Sequence, residues 1–104
     1  MGEEKDWKLK LRYGKLKTPY QHYTAIVPVL INAYIEDFNA EPGTAYGGFK
    51  IWAMDTEEVV DIVESIAQQT DFVITGKIEI YKTDPVQPPQ ESAYAYDINF
   101  SYYK

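Results

Sequence analysis

The chain contains no cysteine and a single histidine, His22. Without cysteine there is no disulfide framework, no thiolate zinc site and no cysteine nucleophile. The lack suits a reducing compartment. One histidine without a carboxylate loop of the Asp-x-Asp kind makes no metal-ligand set, so neither a metal nor a cofactor is expected. Long apolar runs are missing too. The longest, residues 25–31, is far short of the roughly 20 residues that cross a bilayer. Residues 1–6, Met-Gly-Glu-Glu-Lys-Asp, carry no apolar segment of the secretory kind. A cytoplasmic protein with no membrane association is therefore expected. No G-x-x-x-x-G-K-S/T, G-x-G-x-x-G or G-x-S-x-G pattern occurs. Gly47-Gly48 precedes a strand pattern rather than a helix, so it is no phosphate cradle.

What is present is aromatic and acidic. The 104 residues include ten Tyr, four Phe and two Trp, enough large side chains for one domain to build a core unaided. The formal net charge is −6, which argues against general nucleic-acid binding. The charge is uneven. Lys5, Lys8, Lys10, Arg12, Lys15 and Lys17 outnumber Glu3, Glu4 and Asp6 at the start of the chain. Over residues 36–71 nine carboxylates face a single cation, Lys50. Such polarity suggests charge-directed association with a protein partner or with a second copy.

Along the chain, Trp7, Leu9, Leu11 and Tyr13 alternate with Lys8, Lys10 and Arg12. Period two predicts a strand with a basic, solvated face. It would pair as a hairpin with a second run over residues 21–27, after Gly14 and Thr18-Pro19. Residues 28–38 fit either a short helix beginning at Pro28 or a continuing strand. The density of Val, Ile and Tyr favours the strand. Glu41-Pro42-Gly43-Thr44 reads as a type II turn, and residues 46–54 as a further strand.

Asp55-Thr56-Glu57-Glu58 is a capping-box pattern, and Val59, Ile62, Val63 and Ile66 recur at helical spacing. A helix over residues 56–69 follows. Residues 72–82 alternate again, which makes a strand-helix-strand unit at about 46–82. Residues 83–91 form a proline-rich loop. In residues 93–103, period two would place Tyr94, Tyr96, Ile98, Phe100 and Tyr102 on one face. The expectation is a single α+β domain, residues 1–104, with residues 1–5 disordered. Its sheet is mixed or antiparallel, of four to six strands, with the 56–69 helix on one face. One helix cannot cover both faces of such a sheet. The second face must be polar or meet another subunit.

Four features are candidates for function. Tyr94, Tyr96 and Tyr102 form a stripe suited to recognition, because a tyrosine ring is apolar while its hydroxyl stays wet. Glu57, Asp61 and Glu64 share a helix face by their spacing, as a docking surface or as a solvated face. Lys8, Lys10 and Arg12 would bind phosphates, prevent edge-to-edge aggregation as edge-strand lysines, or meet the acidic helix of a second copy. His22 is the candidate catalytic residue, provided that it meets a carboxylate such as Asp97 or Glu79. The favoured function is a non-catalytic protein–protein interaction or accessory module. A structural homodimer and an enzyme built on His22 are the alternatives.

Overall fold

The computed structural model describes residues 3–14 and 16–103. The elements run α1 (Glu3–Arg12), β1 (Gln21–Ile31), β2 (Gly43–Ala53), α2 (Thr56–Gln69), β3 (Phe72–Ile74), β4 (Glu79–Lys82) and β5 (Tyr94–Tyr102). They form an α+β domain around one five-stranded sheet, ordered β3-β1-β2-β5, with β4 also pairing with β1. Each paired neighbour is antiparallel. Because β2 and β3 are both antiparallel to β1, they are parallel to each other. The expected strand-helix-strand unit is thus present, split by the central strand β1.

The first expected strand is a helix. Residues 3–12 hold no β-branched side chain and consist mainly of Glu, Lys, Leu and Arg, which are good helix formers. Trp7 and Leu11, one turn apart, are half-buried, whereas Leu9 and Tyr13 are exposed. Both spacings are present in the sequence, and packing selects the helical one. Gly14, at φ 77°, ends the helix in the left-handed region. The expected hairpin therefore does not form, and β1 pairs with β2 instead. Of the segment expected to be disordered, residues 1 and 2 lie outside the described residues, as does Lys15 of the basic run.

β1 continues through Ile31, as β-propensity favours. The reversal into β2 lies at a 3₁₀ turn, Glu36–Phe38, and at Asn39, which has φ 50°. Gly43, expected inside a type II turn, opens β2. The expected 72–82 strand is broken into β3 and β4. Pro28 accounts for the break. The Pro28 carbonyl accepts from the Thr75 amide at 2.9 Å, so its missing N–H lies on the side where a continuous neighbour would need a donor. Gly76 fills the interruption. A Cβ there would stand 3.0 Å from Pro28 Cγ.

The core lies between the sheet and α2. Tyr23, Ala25, Val27, Val29 and Ile31 of β1 meet Ala45, Phe49, Ile51 and Ala53 of β2, beneath Val59 and Val63 of α2. The helix starts as its cap predicts. The Asp55 carboxylate accepts from the Glu58 amide at 2.9 Å, while Glu58 Oε1 accepts from the Met54 amide at 2.7 Å. The return bond reaches one residue further back than in the usual capping box.

The last strand departs from simple alternation. Gly48 pairs with Asn99 but Lys50 with Tyr96, so β5 carries an extra residue. Asp97, at φ 52°, makes this bulge. It reverses the facing of everything beyond it. Tyr94 and Tyr96 lie opposite Trp52 and Lys50, on the face away from α2. Phe100 and Tyr102 lie opposite Gly47 and Ala45, on the core side. The single tyrosine stripe expected from the sequence is therefore divided between two faces.

Candidate functional site on the far face of the sheet

The face away from α2 has two halves. One half is built from His22 of β1, Trp52 of β2, and Tyr94 and Tyr96 of β5. The His22 ring meets Trp52 edge-on at 5.1 Å and Tyr96 at 5.6 Å, and Tyr94 lies 5.6 Å from Tyr96. Trp52 is only 2% exposed and His22 only 6%. Residues 83–91 cover them as a strap.

The strap is fastened chiefly through its main chain. Trp52 Nε1–H donates to the Gln87 carbonyl at 2.9 Å, Tyr94 to Pro88 at 2.5 Å, and Tyr20 to Glu91 at 3.2 Å. Tyr96 Oη accepts from the amides of Val86 at 2.9 Å and Gln87 at 3.2 Å. Burial pushes the Tyr94 hydroxyl pKa up, with Tyr96 acting in the same direction. The group stays a neutral donor.

His22 joins this network by both ring nitrogens. Nδ1 lies 3.1 Å from the Thr83 carbonyl and 3.1 Å from the Thr83 hydroxyl. A carbonyl only accepts, so Nδ1 carries the proton. In the neutral ring Nε2 is then an acceptor, and the Tyr96 hydroxyl donates to it at 2.7 Å. Burial is the largest influence on His22 and lowers its pKa. The Thr83 hydrogen bond opposes this, Lys50 lowers the value further, and Asp84 raises it. The partners of His22 are Thr83 and Tyr96 rather than the carboxylates of Asp97 or Glu79. Asp97 instead holds Lys50 at 2.6 Å.

Comparison with protein-family models, curated proteins and solved structures returns no match.

The other half of the far face has no layer over it among the described residues. Ile26, Pro28 and Leu30 of β1 continue from His22 on the same side. Tyr46 of β2 and Val73 of β3 flank them through the pairs Pro28–Tyr46 and Leu30–Val73. Leu30, Tyr46 and Val73 are exposed, and the Tyr103 ring lies 4.6 Å from Tyr46. Ile26, Pro28 and Tyr46 line a shallow depression with Lys77 and Glu79 at its rim.

The remaining candidates are dispersed. Glu57, Asp61 and Glu64 are exposed on α2, on the opposite side of the sheet. Lys8, Lys10 and Arg12 are exposed on a helix rather than on a strand face. Lys8 and Arg12, one turn apart, border a groove with Trp7, Leu11, Asp84 and Pro85, so α1 lies beside the strap. Tyr102 donates to the Glu41 carbonyl at 2.7 Å and ties β5 to the loop before β2. The aromatic half-face centred on Trp52 was not singled out from the sequence. A signal existed. Trp52 alternates with Phe49 and Ile51, so a large apolar ring falls on the side shared with Lys50. A ring in that position requires a cover.

Proposed function

We propose that the chain is a non-catalytic protein–protein interaction module which docks its partner on the open half of the far face. The observation that carries this reading is the exposed set Leu30, Tyr46 and Val73, joined on one face through the pairs Leu30–Val73 and Pro28–Tyr46 and bare of any layer among the described residues. Contiguous exposed apolar surface marks interaction sites, whereas apolar residues scattered singly need no explanation. Aromatic residues such as Tyr46 and Tyr103 suit the centre of an interface.

Two further features favour docking on the face over docking at a sheet edge. One edge is broken between β3 and β4. The other carries the Asp97 bulge. Short strands and bulges blunt edges against strand addition. The charged surfaces of α1 and α2 would then steer encounter rather than anchor the complex. The enzyme reading loses support because both His22 nitrogens are engaged in holding the strap.

The test uses the wild-type chain and the double variant Leu30→Lys/Tyr46→Lys. Light scattering gives the solution mass of each, and both then serve as bait for affinity capture. A heterologous complex formed by the wild type and lost in the variant supports the reading. A wild-type homodimer lost in the variant assigns the face to a second copy, the structural alternative. Complexes that survive the double substitution would remove this face from consideration.

A further inference from the structure

The strap is held by a network whose donors and acceptors match in only one protonation state of His22. Tyr96 Oη receives two amide protons, from Val86 and Gln87. Its own O–H donates to His22 Nε2. The Nδ1 proton of His22 is committed to Thr83. Thr83 in turn is tied to β1, its amide donating to the His22 carbonyl at 3.2 Å and its hydroxyl lying 2.8 Å from that of Thr24. A second proton on His22 would sit on Nε2 and point at Tyr96 Oη. That oxygen would then face three N–H donors, and its own O–H would lose its acceptor. At least one strap amide has to leave.

We propose that residues 83–91 are a proton-released cover, opened when His22 becomes an imidazolium. Opening uncovers Trp52, Tyr94 and Tyr96, and joins them to Ile26, Pro28 and Tyr46 as one aromatic and aliphatic face. That the larger face strengthens docking rests on the interaction reading above; the opening itself does not.

The surroundings of His22 hold few other titrating groups. From β2 it faces Lys50, which is paired with Asp97 of β5. From β5 it faces the Tyr96 hydroxyl. From the strap it faces Asp84, beside which α1 places Lys8 and Arg12. Lysine, arginine and tyrosine do not ordinarily change charge between pH 5 and 8, and carboxylates titrate lower. Histidine is the group suited to act in that interval.

Amide hydrogen exchange followed by NMR tests the cover, expressed as protection factors so that the intrinsic pH dependence of exchange is divided out. In the wild type, protection at Val86, Gln87 and the Trp52 indole should fall at least tenfold from pH 7.5 to pH 5, on the order of the interval that histidine spans. Protection at Phe49 and Ile51 should hold. In His22→Gln, which keeps one donor and one acceptor without titrating, strap protection should be flat. Equal loss in His22→Gln would overturn the proposal. Should that variant fail to fold, the wild-type ring nitrogens decide. Their shifts must follow the strap amides on one titration curve, and an imidazolium formed under a closed strap refutes the idea. Strap opening without stronger association at pH 5 would leave the cover standing and count against the docking face.

Discussion

The ring of Phe100 occupies the space that a side chain on Gly47 would fill. A Cβ on Gly47 would stand 3.1 Å from Phe100 Cε1 and 2.9 Å from Phe49 Cε1. Phe100 reaches this place because the bulge at Asp97 turns it to the core side. There it meets Phe72 edge-on at 5.5 Å and Phe49 at 6.3 Å. The missing side chain and the extra residue thus serve one packing arrangement. Gly47→Ala should cost about 1–3 kcal/mol of unfolding free energy, the usual range for overpacking. Gly48→Ala meets only the Asn99 side chain, at 3.3 Å, and should cost clearly less. Urea unfolding of the two variants measures the difference, and equal effects would contradict the packing account.

Asp97 supports the bulge with its backbone more than with its charge. Its φ of 52° lies where Asn, Asp and Gly are tolerated and β-branched residues are not. Its ion pair with Lys50 is partly solvated, the side chains being 29% and 56% exposed. Exposed pairs contribute at most about 1 kcal/mol. Asp97→Asn should therefore stay within about 1 kcal/mol of the wild type, whereas Asp97→Val should lose about 1–3 kcal/mol. Thermal or urea unfolding separates the two, and parity between them would show that the backbone conformation carries no strain.

These two residues also mark where the sequence stopped being legible. Helix α2 was readable to its ends because cap, carboxylates and a 3.6-residue apolar period agree over 14 residues. Alternation in β1 and β2 was readable because both bury one continuous face. The bulge was not readable, since Asp97 is an ordinary polar residue in an alternating run, and one inserted residue reverses all that follows. The first segment misled for a different reason. Trp7 and Leu11 satisfy both periods, and only packing decides between them. Of the candidate site, His22 and the tyrosines were visible as residue types. Their meeting under the strap depends on the pairs His22–Trp52 and Trp52–Tyr94, which no local pattern encodes.

Asp55 gives a direct measure of how much the readable helix signal contributes. Its carboxylate satisfies one of the amides that α2 leaves without a partner. Asp55→Ala should destabilise by about 1 kcal/mol, and Asp55→Asn, which still accepts the bond, by only a few tenths. Unfolding midpoints settle the order. A neutral Asp55→Ala would mean that the Glu58 bond to Met54 suffices as the cap.

The Tyr96 hydroxyl is the single atom on which the strap converges. Tyr96→Phe removes the shared acceptor of Val86 and Gln87 and the donor to His22, while the ring continues to pack. Leaving buried partners unmatched costs about 1–3 kcal/mol. The lower part of that range is expected, because Val86 is 59% exposed and water can reach the strap. The loss should appear as faster exchange at Val86 and Gln87, with α2 amides unchanged. Uniform loss across the sheet would show that Tyr96 supports the whole fold rather than the cover.

The pH dependence of global stability has a fixed sign. His22 is held below its ordinary value of 6.5 when folded, burial being the main cause. The unfolded chain therefore takes up a proton on His22 at higher pH than the closed fold does. Linkage then makes this contribution fully present above about pH 6.5 and lost as pH falls below it, toward the depressed folded value. Urea unfolding of the wild type should show a declining free energy from pH 7.5 to pH 5.5, and His22→Gln a flatter profile over the same interval. If the strap opens before the sheet unfolds, the open form binds the proton without the burial penalty. The decline then ends at the free energy of strap closure rather than continuing with the whole fold. A plateau in the wild-type profile at the pH where strap exchange quickens would identify the two events as one equilibrium. A decline continuing well past that pH, and absent in His22→Gln, would mean that His22 is coupled to the sheet itself.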